Sequence, residues 1–346
     1  MTDKTGNKPA TLKRRRVGKT DLQVSELGFG GNPFGGLMEA VSDTSANDAV
    51  DAAFEVGVNY FDTAPYYGAG LSEHRLGAAL RRHPRENFVL STKVGRLLKP
   101  GREEKDTFYQ GALTFTPYFD YSYDGAMRSL EDSIQRLGIP SIDILLIHDV
   151  SPNMQGDMLE QRFREASAGA AKAVNALREQ GVIKAIGVGV SDWKICMRFA
   201  EVVDMDVFLL AVRYTLLNQE PAKEFLPFCR ERNISVIAAA PFVSGILATG
   251  AVPGARYMYQ PATDDIMART RAIEAVCANH KVPLMAAALQ MPLGDSAVCS
   301  VLPGFRARSE VLQAAEMVRH PIPEDFWVEL KSTGLMEEET IVPVAA

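Results

Sequence analysis

An acid and two phenols stand close together in the stretch FDTAPYYGAG, residues 61–70. The β-branched and aromatic run at 58–61 predicts a buried strand, which the following Pro-Tyr-Tyr-Gly turn ends. Asp62, Tyr66 and Tyr67 therefore come at the carboxyl end of a strand, where such groups are well placed to face a ligand. Taken alone, the stretch is explained equally well as a strand cap with two covering aromatic rings.

Two later strands also end in groups that can do chemistry. Lys93 lies in the run STKVG, and His148 closes the run LLIHD. Each has an ordinary explanation by itself, because a lysine can extend its ammonium to solvent and a strand-terminal histidine is often a core residue. Together with Asp62 and Tyr67, however, they would meet at one mouth of a parallel barrel. Convergence at a site explains the four residues better than chance does.

Hydride transfer coupled to proton transfer is the chemistry that suits this set. A phenol has a reference pKa of about 10, which makes it a weak acid or base at neutral pH. We expect Lys93 to lower the pKa of Tyr67 and Asp62 to hold Lys93 charged and oriented. His148 can hydrogen-bond the oxygen of a carbonyl or an alcohol. No side chain needs to attack the substrate, since a bound nicotinamide would carry the hydride.

The elements that must position these residues alternate regularly along the chain. Strands are predicted at 24–30, 58–62, 87–94, 142–148, 183–190, 207–212, 234–240 and 298–304. Helices are predicted at 45–56, with Ser45 as its N-cap, and at 72–82, 124–137, 162–180, 192–203, 220–232, 264–280 and 306–319. Eight strands each followed by a helix predict an α/β fold, a (β/α)8 TIM barrel.

A doubly wound sheet is the alternative fold. It is disfavoured because the glycine-rich run GFGGNPFGG, residues 28–36, has Pro33 where a dinucleotide fingerprint needs its third glycine. That run is either a loop whose backbone approaches a ligand closely or a plain flexible loop. Ahead of the barrel, residues 12–30 alternate and turn at 18–21, which predicts a β-hairpin.

We expect one barrel domain over residues 12–335, with a disordered segment at 1–11 and a flexible tail at 336–346. Two long connections, 97–123 and 241–263, should rise from the carboxyl-terminal face of the barrel. The first is rich in aromatic residues, which suits a lid over a substrate pocket. Some of these rings are equally well explained as anchors of a long loop.

Composition narrows the possible partners. A formal net charge of −6 and a pI near 5.5 argue against binding to nucleic acid. The four cysteines are widely spaced and match neither a disulfide framework nor a zinc site. No apolar run is long enough to span a membrane, and the amino terminus lacks a signal-peptide core. We therefore expect a cytoplasmic protein, a monomer or small homo-oligomer, that binds a small molecule and neither membrane nor metal.

The motifs DTAxxYG, STKVG, LLIHD and IGVGVSDW, in that order, resemble those of the aldo-keto reductase superfamily over about residues 14–320. The resemblance implies a barrel that binds NAD(P) without a Rossmann fold. It also implies a catalytic tetrad of Asp62, Tyr67, Lys93 and His148, with Tyr67 rather than Tyr66 as the proton donor or acceptor. The runs FDTAPYYGAGLSEHRLG and VFLLAVRYTLLNQ are similar to a sugar-oxidising branch that includes D-threo-aldose (L-fucose) 1-dehydrogenases, L-galactose dehydrogenase and a pyridoxal 4-dehydrogenase.

The same resemblance implies a cofactor site. Ser191 and Asp192 would meet the nicotinamide carboxamide, while Ala211 and Ala239 stand where many relatives carry Gln and a ring-stacking Tyr. Trp193 is a candidate to fill that space. The pyrophosphate loop would comprise Pro241, Phe242, Ser244, Gly245 and Leu247, and the adenosine end Gly304, Phe305, Arg306, Arg308 and Glu310. Substrate would contact Tyr66, Tyr118, Phe119 and Trp193.

Charge at the adenosine end bears on the choice between NAD and NADP. Arg306 and Arg308 favour the 2′-phosphate of NADP, and Glu310 opposes it, so the sequence predicts use of both with a modest preference for NADP.

The function predicted first is NAD(P)-dependent oxidation of an aldose at C1. The alternative in the same class is an NADPH-dependent reductase of an aldehyde or ketone, including pyridoxal-like or sugar aldehydes, because the tetrad does not fix the direction. A nucleotide-binding subunit without catalysis is a more distant alternative. A metal-dependent hydrolase is disfavoured, since the five histidines show no ligand spacing.

Overall fold

A computed structural model describes residues 12–101 and 108–344, and the disorder predicted for residues 1–11 lies outside this part of the chain. The strands are β1 (Arg14–Arg16), β2 (Gln23–Ser25), β3 (Phe29–Gly30), β4 (Tyr60–Asp62), β5 (Val89–Val94), β6 (Arg96–Pro100), β7 (Phe115–Phe119), β8 (Ile144–His148), β9 (Ala185–Val190), β10 (Val207–Ala211), β11 (Ser235–Ala239), β12 (Arg256–Tyr257), β13 (Gln260–Pro261) and β14 (Val298–Leu302). The helices are α1 (Asp43–Val56), α2 (Leu71–Leu80), α3 (Tyr123–Leu137), α4 (Pro152–Gln155), α5 (Leu159–Ala168), α6 (Ala170–Glu179), α7 (Trp193–Ala200), α8 (Phe225–Arg232), α9 (Ile246–Thr249), α10 (Asp264–His280), α11 (Leu284–Gln290), α12 (Arg308–Met317) and α13 (Glu324–Ser332).

Eight parallel strands form the central sheet, in the order β3-β4-β5-β8-β9-β10-β11-β14. Parallel bridges join Leu27 to Val301 and Gly30 to Gly304, and these bring the first and last strands together as in a barrel. Helices connect successive strands, as a parallel sheet requires. The (β/α)8 barrel predicted from the sequence is confirmed.

The helices differ from the prediction in several details: α11 and α13 were not predicted, and the helix predicted at 220–232 is a 3-10 turn at 220–222 followed by α8. The N-cap of α1 is Ser42 rather than Ser45, because the Ser42 hydroxyl accepts the hydrogen bond from the Ser45 backbone N–H. The helix predicted at 162–180 is two helices, α5 and α6, separated at Gly169. Gly169 leaves helical geometry, with φ −112° and ψ −82°, and a Cβ there would lie 2.4 Å from the carbonyl oxygen of Tyr121, so only glycine fits at the break.

The hairpin of β1 and β2 closes the amino-terminal end of the barrel. Its apolar side chains Val17, Leu22 and Val24 are buried in one cluster with the barrel-interior residues Tyr60 and Val207. Burial of this surface contributes about 25 cal/mol per Å² and seals the barrel floor against water. The opposite, carboxyl-terminal end is therefore left for a site.

Both long connections carry small hairpins at that open end. The first contains β6 and β7, which pair antiparallel, and the second contains α9 followed by the pair β12 and β13. The rings of Phe108 and Tyr259, one from each connection, meet edge to face with their centroids 5.2 Å apart. The two connections therefore touch across the mouth of the barrel.

The segment 336–344 differs from the flexible tail that the sequence predicts. Met336 and Thr340 are buried, and the side chain of Glu337 pairs with Lys223 at 2.8 Å. The backbone at 341–342 passes so close to Gly294 that a Cβ there would lie 2.3 Å from the carbonyl oxygen of Ile341. Apolar burial and this close backbone contact hold the segment against the barrel.

Candidate active site

A cavity of about 1090 Å³ opens at the carboxyl-terminal end of the barrel. Eight residues at its wall other than glycine have positive φ, a conformation that costs stability and often marks functional sites, and five of the eight come shortly after strands of the barrel. These five are Asp149, Val212, Ala240, Val243 and Ser244. All of them follow strands of the barrel, so the strained backbone surrounds the place where the strand-end side chains meet.

Lys93 and Asp62 form a buried ion pair at the base of the cavity. The Lys93 ammonium donates to both carboxylate oxygens of Asp62, at 2.9 and 2.7 Å, and to the backbone carbonyl of Thr63 at 2.7 Å. The Ser91 hydroxyl donates to the same carboxylate at 2.6 Å. Burial raises the pKa of Asp62, and the charge of Lys93 opposes that rise. These contacts fix the ammonium in one position.

Tyr67 lies over this pair. The Lys93 nitrogen is 4.9 Å from the centroid of the Tyr67 ring, and the ring meets that of His148 edge to face at 5.9 Å. Burial and the negative charge of Asp62 raise the pKa of the Tyr67 phenol well above its ordinary value. The net pKa is therefore raised rather than lowered as the sequence suggested, because desolvation outweighs any stabilisation of the phenolate by Lys93. Tyr67 is a neutral proton donor here.

The position of Tyr67 depends on two glycines. Gly68 has a φ of +65°, and a Cβ there would lie 2.4 Å from the carbonyl oxygen of Gly35. A Cβ at Gly35 would in turn lie 2.6 Å from the carbonyl carbon of Tyr67. The glycine-rich run 28–36 therefore lets the loop that carries Tyr67 pack against it, a role that neither interpretation of the run predicted.

His148 points into the same cavity with a neutral ring. Burial and the nearby charges of Lys93 and Arg96 lower its pKa well below the ordinary value. Its Nε2 is 3.5 Å from a carboxylate oxygen of Asp149, and its buried Nδ1 has no hydrogen-bond partner among the described residues. The Tyr121 hydroxyl donates to the His148 carbonyl at 2.7 Å and fixes the backbone there. A neutral imidazole with Nε2–H can donate to a substrate oxygen.

A second ion pair, which the sequence did not predict as part of the site, borders His148. Arg96 donates to Asp149 at 2.5 Å, and its guanidinium carbon lies 3.4 Å from the centroid of the Tyr66 ring and 4.8 Å from that of Phe119. Asp149 directly follows His148 in the chain, so the run LLIHD was a signal available in the sequence. Arg96 gave no such signal.

The predicted nicotinamide residues fall into two groups. Ser191 lines the cavity, as do Ala211 and Ala239. Asp192 instead caps α7, because its carboxylate accepts from the backbone N–H of Ile195 at 3.0 Å. Trp193 is buried against Phe225 with ring centroids 6.3 Å apart and does not line the cavity. These two were predicted from the motif alone, which does not show side-chain direction.

Arg213 reaches the space beside the two alanines. It lines the cavity, and its Nε donates to the carbonyl of Ser191 at 2.9 Å. The sequence analysis missed this residue, although it stands two positions after Ala211.

Only part of the predicted pyrophosphate loop lies at the cavity wall. Phe242, Ser244 and Gly245 line the cavity, whereas Leu247 is fully buried in the core and Pro241 is not at the wall. Three consecutive residues from Val243 have positive φ, and the N–H groups of Val243 and Gly245 donate to carbonyls within the loop. The loop is therefore a tight, internally hydrogen-bonded turn at the cavity wall.

At the predicted adenosine end, Gly304, Phe305, Arg306 and Glu310 line the cavity. Glu310 accepts from the Arg306 backbone N–H at 2.6 Å and from its guanidinium at 3.4 Å. A further carboxylate oxygen, from Glu39, is 3.7 Å from Arg306. Arg308 does not reach the cavity, because it pairs with Glu55 on the surface.

Of the predicted substrate residues, Tyr66 alone lines the cavity. Phe119 packs on Arg96 behind the wall, and Tyr118 lies on the hairpin with its ring centroid 6.0 Å from the Lys99 nitrogen. The lid is formed instead by Phe108 and Tyr109. The Tyr109 hydroxyl donates to Asn32 at 2.7 Å and closes that side.

The cavity fits an extended dinucleotide. Its volume is at the upper end of small-molecule sites, and it runs from the strand-end residues past the left-handed loop to Arg306, whose buried Nε has no hydrogen-bond partner among the described residues. Within residues 12–101 and 108–344, no group of histidine, cysteine or acidic side chains could hold a metal ion. Each helix among the described residues is too short or too polar to span a lipid bilayer.

Comparison with known proteins gives consistent matches. The profile of the Aldo/keto reductase family matches residues 26–334. The chain is 40% identical over 336 residues to pyridoxal 4-dehydrogenase of Microbacterium luteolum, covering 94% of this chain and 98% of that protein. It is 38% identical over 322 residues to D-threo-aldose 1-dehydrogenase of a Pseudomonas species, covering 91% and 95%. An aldo-keto reductase from Bacillus halodurans superposes with a TM-score of 0.70 at 25% identity, covering 95% and 99%.

Proposed function

Because the chain belongs to the aldo/keto reductase family and is an NAD(P)-dependent oxidoreductase, we propose that it oxidises an aldose at C1. The resemblance seen in the sequence motifs is confirmed at the level of the family and the branch. The aldose proposal is supported by one observation above others. Polar side chains other than the tetrad are among those that line the cavity, including Asp149 beside His148, Asn153 and Arg213. Such a wall suits a substrate with several hydroxyl groups.

The residues of the tetrad have separate tasks in this proposal. Tyr67 exchanges the proton of the reacting oxygen, and His148 orients that oxygen through Nε2. Lys93, fixed by Asp62, places a positive charge beneath the phenol and stabilises the phenolate that forms when the proton leaves. When bound, the nicotinamide supplies the hydride acceptor for oxidation or the hydride donor for reduction.

A second candidate substrate is an aromatic alcohol or aldehyde of the pyridoxal type. It is supported by the rings of Tyr66, Phe108 and Tyr109 at the cavity wall and by the 40% identity with pyridoxal 4-dehydrogenase. Aromatic side chains can stack on a flat heterocycle, and they can also pack on the apolar face of a sugar. Either substrate class can be oxidised or reduced, since the same acid–base group serves each direction.

We further propose that the enzyme prefers NAD to NADP, against the modest preference for NADP that the sequence suggests. Arg308 is engaged on the surface, and Arg306 is flanked by Glu39 and Glu310. A 2′-phosphate would bring close to two negative charges beside these carboxylates. A free 2′-hydroxyl can donate to Glu310 instead.

A panel of substrates with both cofactors tests these proposals. L-fucose, D-arabinose and L-galactose would be assayed for oxidation, and pyridoxine and pyridoxal for either direction, by nicotinamide absorbance. We expect the highest kcat/KM with an aldose and NAD. A kcat/KM for pyridoxine or pyridoxal above that of every aldose would replace the first proposal with the second.

The cofactor proposal has its own variants. Glu310→Gln should lower the KM for NADP, because it removes a charge next to the 2′-phosphate, and should weaken NAD binding slightly. An unchanged ratio of the two KM values would show that Glu310 does not read the 2′ position. Glu316→Gln, on the same helix but outside the cavity wall, is the matched control.

A further inference from the structure

The ion pair of Arg96 and Asp149 lies beside the tetrad but belongs to none of its tasks. Arg96 is 7% exposed, and the side chain of Asp149 is 18% exposed toward the cavity that it lines. Replacing a buried ion pair by apolar side chains is often neutral or stabilising. Asp149 also holds a positive φ of 58°, which costs further stability. Stability therefore does not explain why this pair is here.

The geometry of the pair leaves one acceptor facing the cavity. Arg96 donates to Oδ2 of Asp149, and no residue in the described part of the chain donates to Oδ1. The guanidinium is fixed by the Tyr66 ring at 3.4 Å and the Phe119 ring at 4.8 Å, so the carboxylate has little freedom. A charged carboxylate is an acceptor only, and its natural partner is a hydroxyl group.

The short distance between Asp149 and His148 indicates which substrate hydroxyl group the carboxylate can bind. Nε2 of His148, which orients the reacting oxygen, is 3.5 Å from Oδ2 of Asp149. A group that binds both residues therefore needs two oxygens close together, and oxygens on neighbouring carbon atoms meet this requirement. In an aldose these are the oxygens at C1 and C2.

We propose that Asp149, positioned by Arg96, accepts a hydrogen bond from the substrate hydroxyl on the carbon next to the one oxidised. The inference rests on the proposed oxidation of an aldose and adds a requirement for a free hydroxyl at C2. Asp149 is thus a substrate-binding residue that determines specificity, and Arg96 is a positioning residue. An aldehyde without the neighbouring hydroxyl would leave the carboxylate without its donor.

The test compares L-fucose with 2-deoxy-L-fucose in the wild type and in Asp149→Asn. In the variant, Arg96 can keep its hydrogen bond to the amide oxygen, so the amide NH2 would face the substrate as a donor. We expect kcat/KM for L-fucose to fall about 10- to 150-fold, the range for losing a hydrogen bond to a charged group. The value for 2-deoxy-L-fucose should change less than about threefold. Asp120→Asn, which removes a carboxylate outside the cavity wall, is the matched control.

Two more variants separate binding from folding. Arg96→Met should raise the KM for L-fucose with a smaller effect on kcat, and Arg96→Lys should retain part of the wild-type KM. Circular dichroism and thermal unfolding would establish that each variant is folded. If Arg96→Met does not fold, the Asp149→Asn comparison alone decides.

Three outcomes would overturn the inference, and they differ from one another. Equal losses of kcat/KM for both sugars in Asp149→Asn would show that Asp149 acts by maintaining the fold or the position of His148, and not by binding the C2 hydroxyl. A wild type that treats the two sugars alike would refute the C2 requirement while the oxidation of aldoses stands. A wild type that oxidises neither sugar, but turns over pyridoxine, would remove the proposed function and this inference together.

Discussion

Replacing Tyr67 by Phe removes one hydroxyl group and leaves the rest of its surroundings in place. The ring would keep its edge contact with His148 at 5.9 Å and its position 4.9 Å from the Lys93 nitrogen. Acid–base catalysis by a positioned side chain is worth about 10²- to 10⁴-fold, or about 2.7–5.5 kcal/mol of barrier. We therefore expect kcat to fall by that factor and cofactor affinity to stay within about twofold.

Tyr66→Phe is a matched control one residue away. Its ring lies on Arg96 at 3.4 Å, and a Phe ring keeps this contact with the guanidinium. We expect kcat to fall no more than about threefold. The assays are steady-state oxidation followed at the nicotinamide absorbance and cofactor titration by fluorescence. The cofactor titration separates a loss of chemistry from a loss of binding.

The reverse pattern would refute the assignment. If Tyr66→Phe abolished turnover while Tyr67→Phe retained it, the proton would pass through the residue that covers Arg96, and the tetrad would be misassigned. A large loss in both variants, with cofactor affinity unchanged, would mean that the two phenols act as a unit.

Three further predictions follow from the site. Because the pKa of Tyr67 is raised, the phenol stays protonated through neutral pH. The value of kcat/KM for reduction should therefore be flat between about pH 6 and 9, while kcat/KM for oxidation should rise about tenfold per pH unit. A plateau of kcat/KM for oxidation near neutrality would contradict this. Lys93→Met leaves the buried carboxylate of Asp62 without its counter-charge and should lower the free energy of unfolding by about 3–5 kcal/mol, measured in urea. Lys93→Met/Asp62→Asn should recover most of that loss, and a double variant no more stable than the single would count against the pair. Dialysis against a chelator should leave activity unchanged, and a loss that a divalent ion restores would show a metal requirement.

The barrel could be predicted from the sequence because its signal is local. Each parallel strand is buried on both faces and reads as a short apolar run, and each helix repeats near 3.6 residues. The eight predicted strands overlap the eight strands of the sheet, and Asp62, Lys93 and His148 occupy their ends. A residue at the end of a parallel strand must face one edge, so this juxtaposition follows from the chain itself.

The directions of side chains outside the strands were decided by tertiary packing. Asp192 stands next to Ser191 in the motif, yet it caps α7, where its carboxylate accepts from a helix N–H that has no partner within the helix. Arg308 is two residues from Arg306 and pairs with Glu55 on α1, a partner more than two hundred residues away in the chain. Neither choice has a local signal.

Electrostatics at the site also required the fold. In sequence, Lys93 and Tyr67 suggest a phenol with a lowered pKa, because opposite charge stabilises a phenolate. In three dimensions, the ammonium is engaged by Asp62 and the phenol is buried, so desolvation decides the direction. The sequence by itself determined that Asp62, Lys93 and His148 meet at the barrel mouth, since strand ends share one edge. Their charges, their partners and the pair of Arg96 and Asp149 were decided by the tertiary structure, because burial and long-range contacts have no counterpart in local sequence.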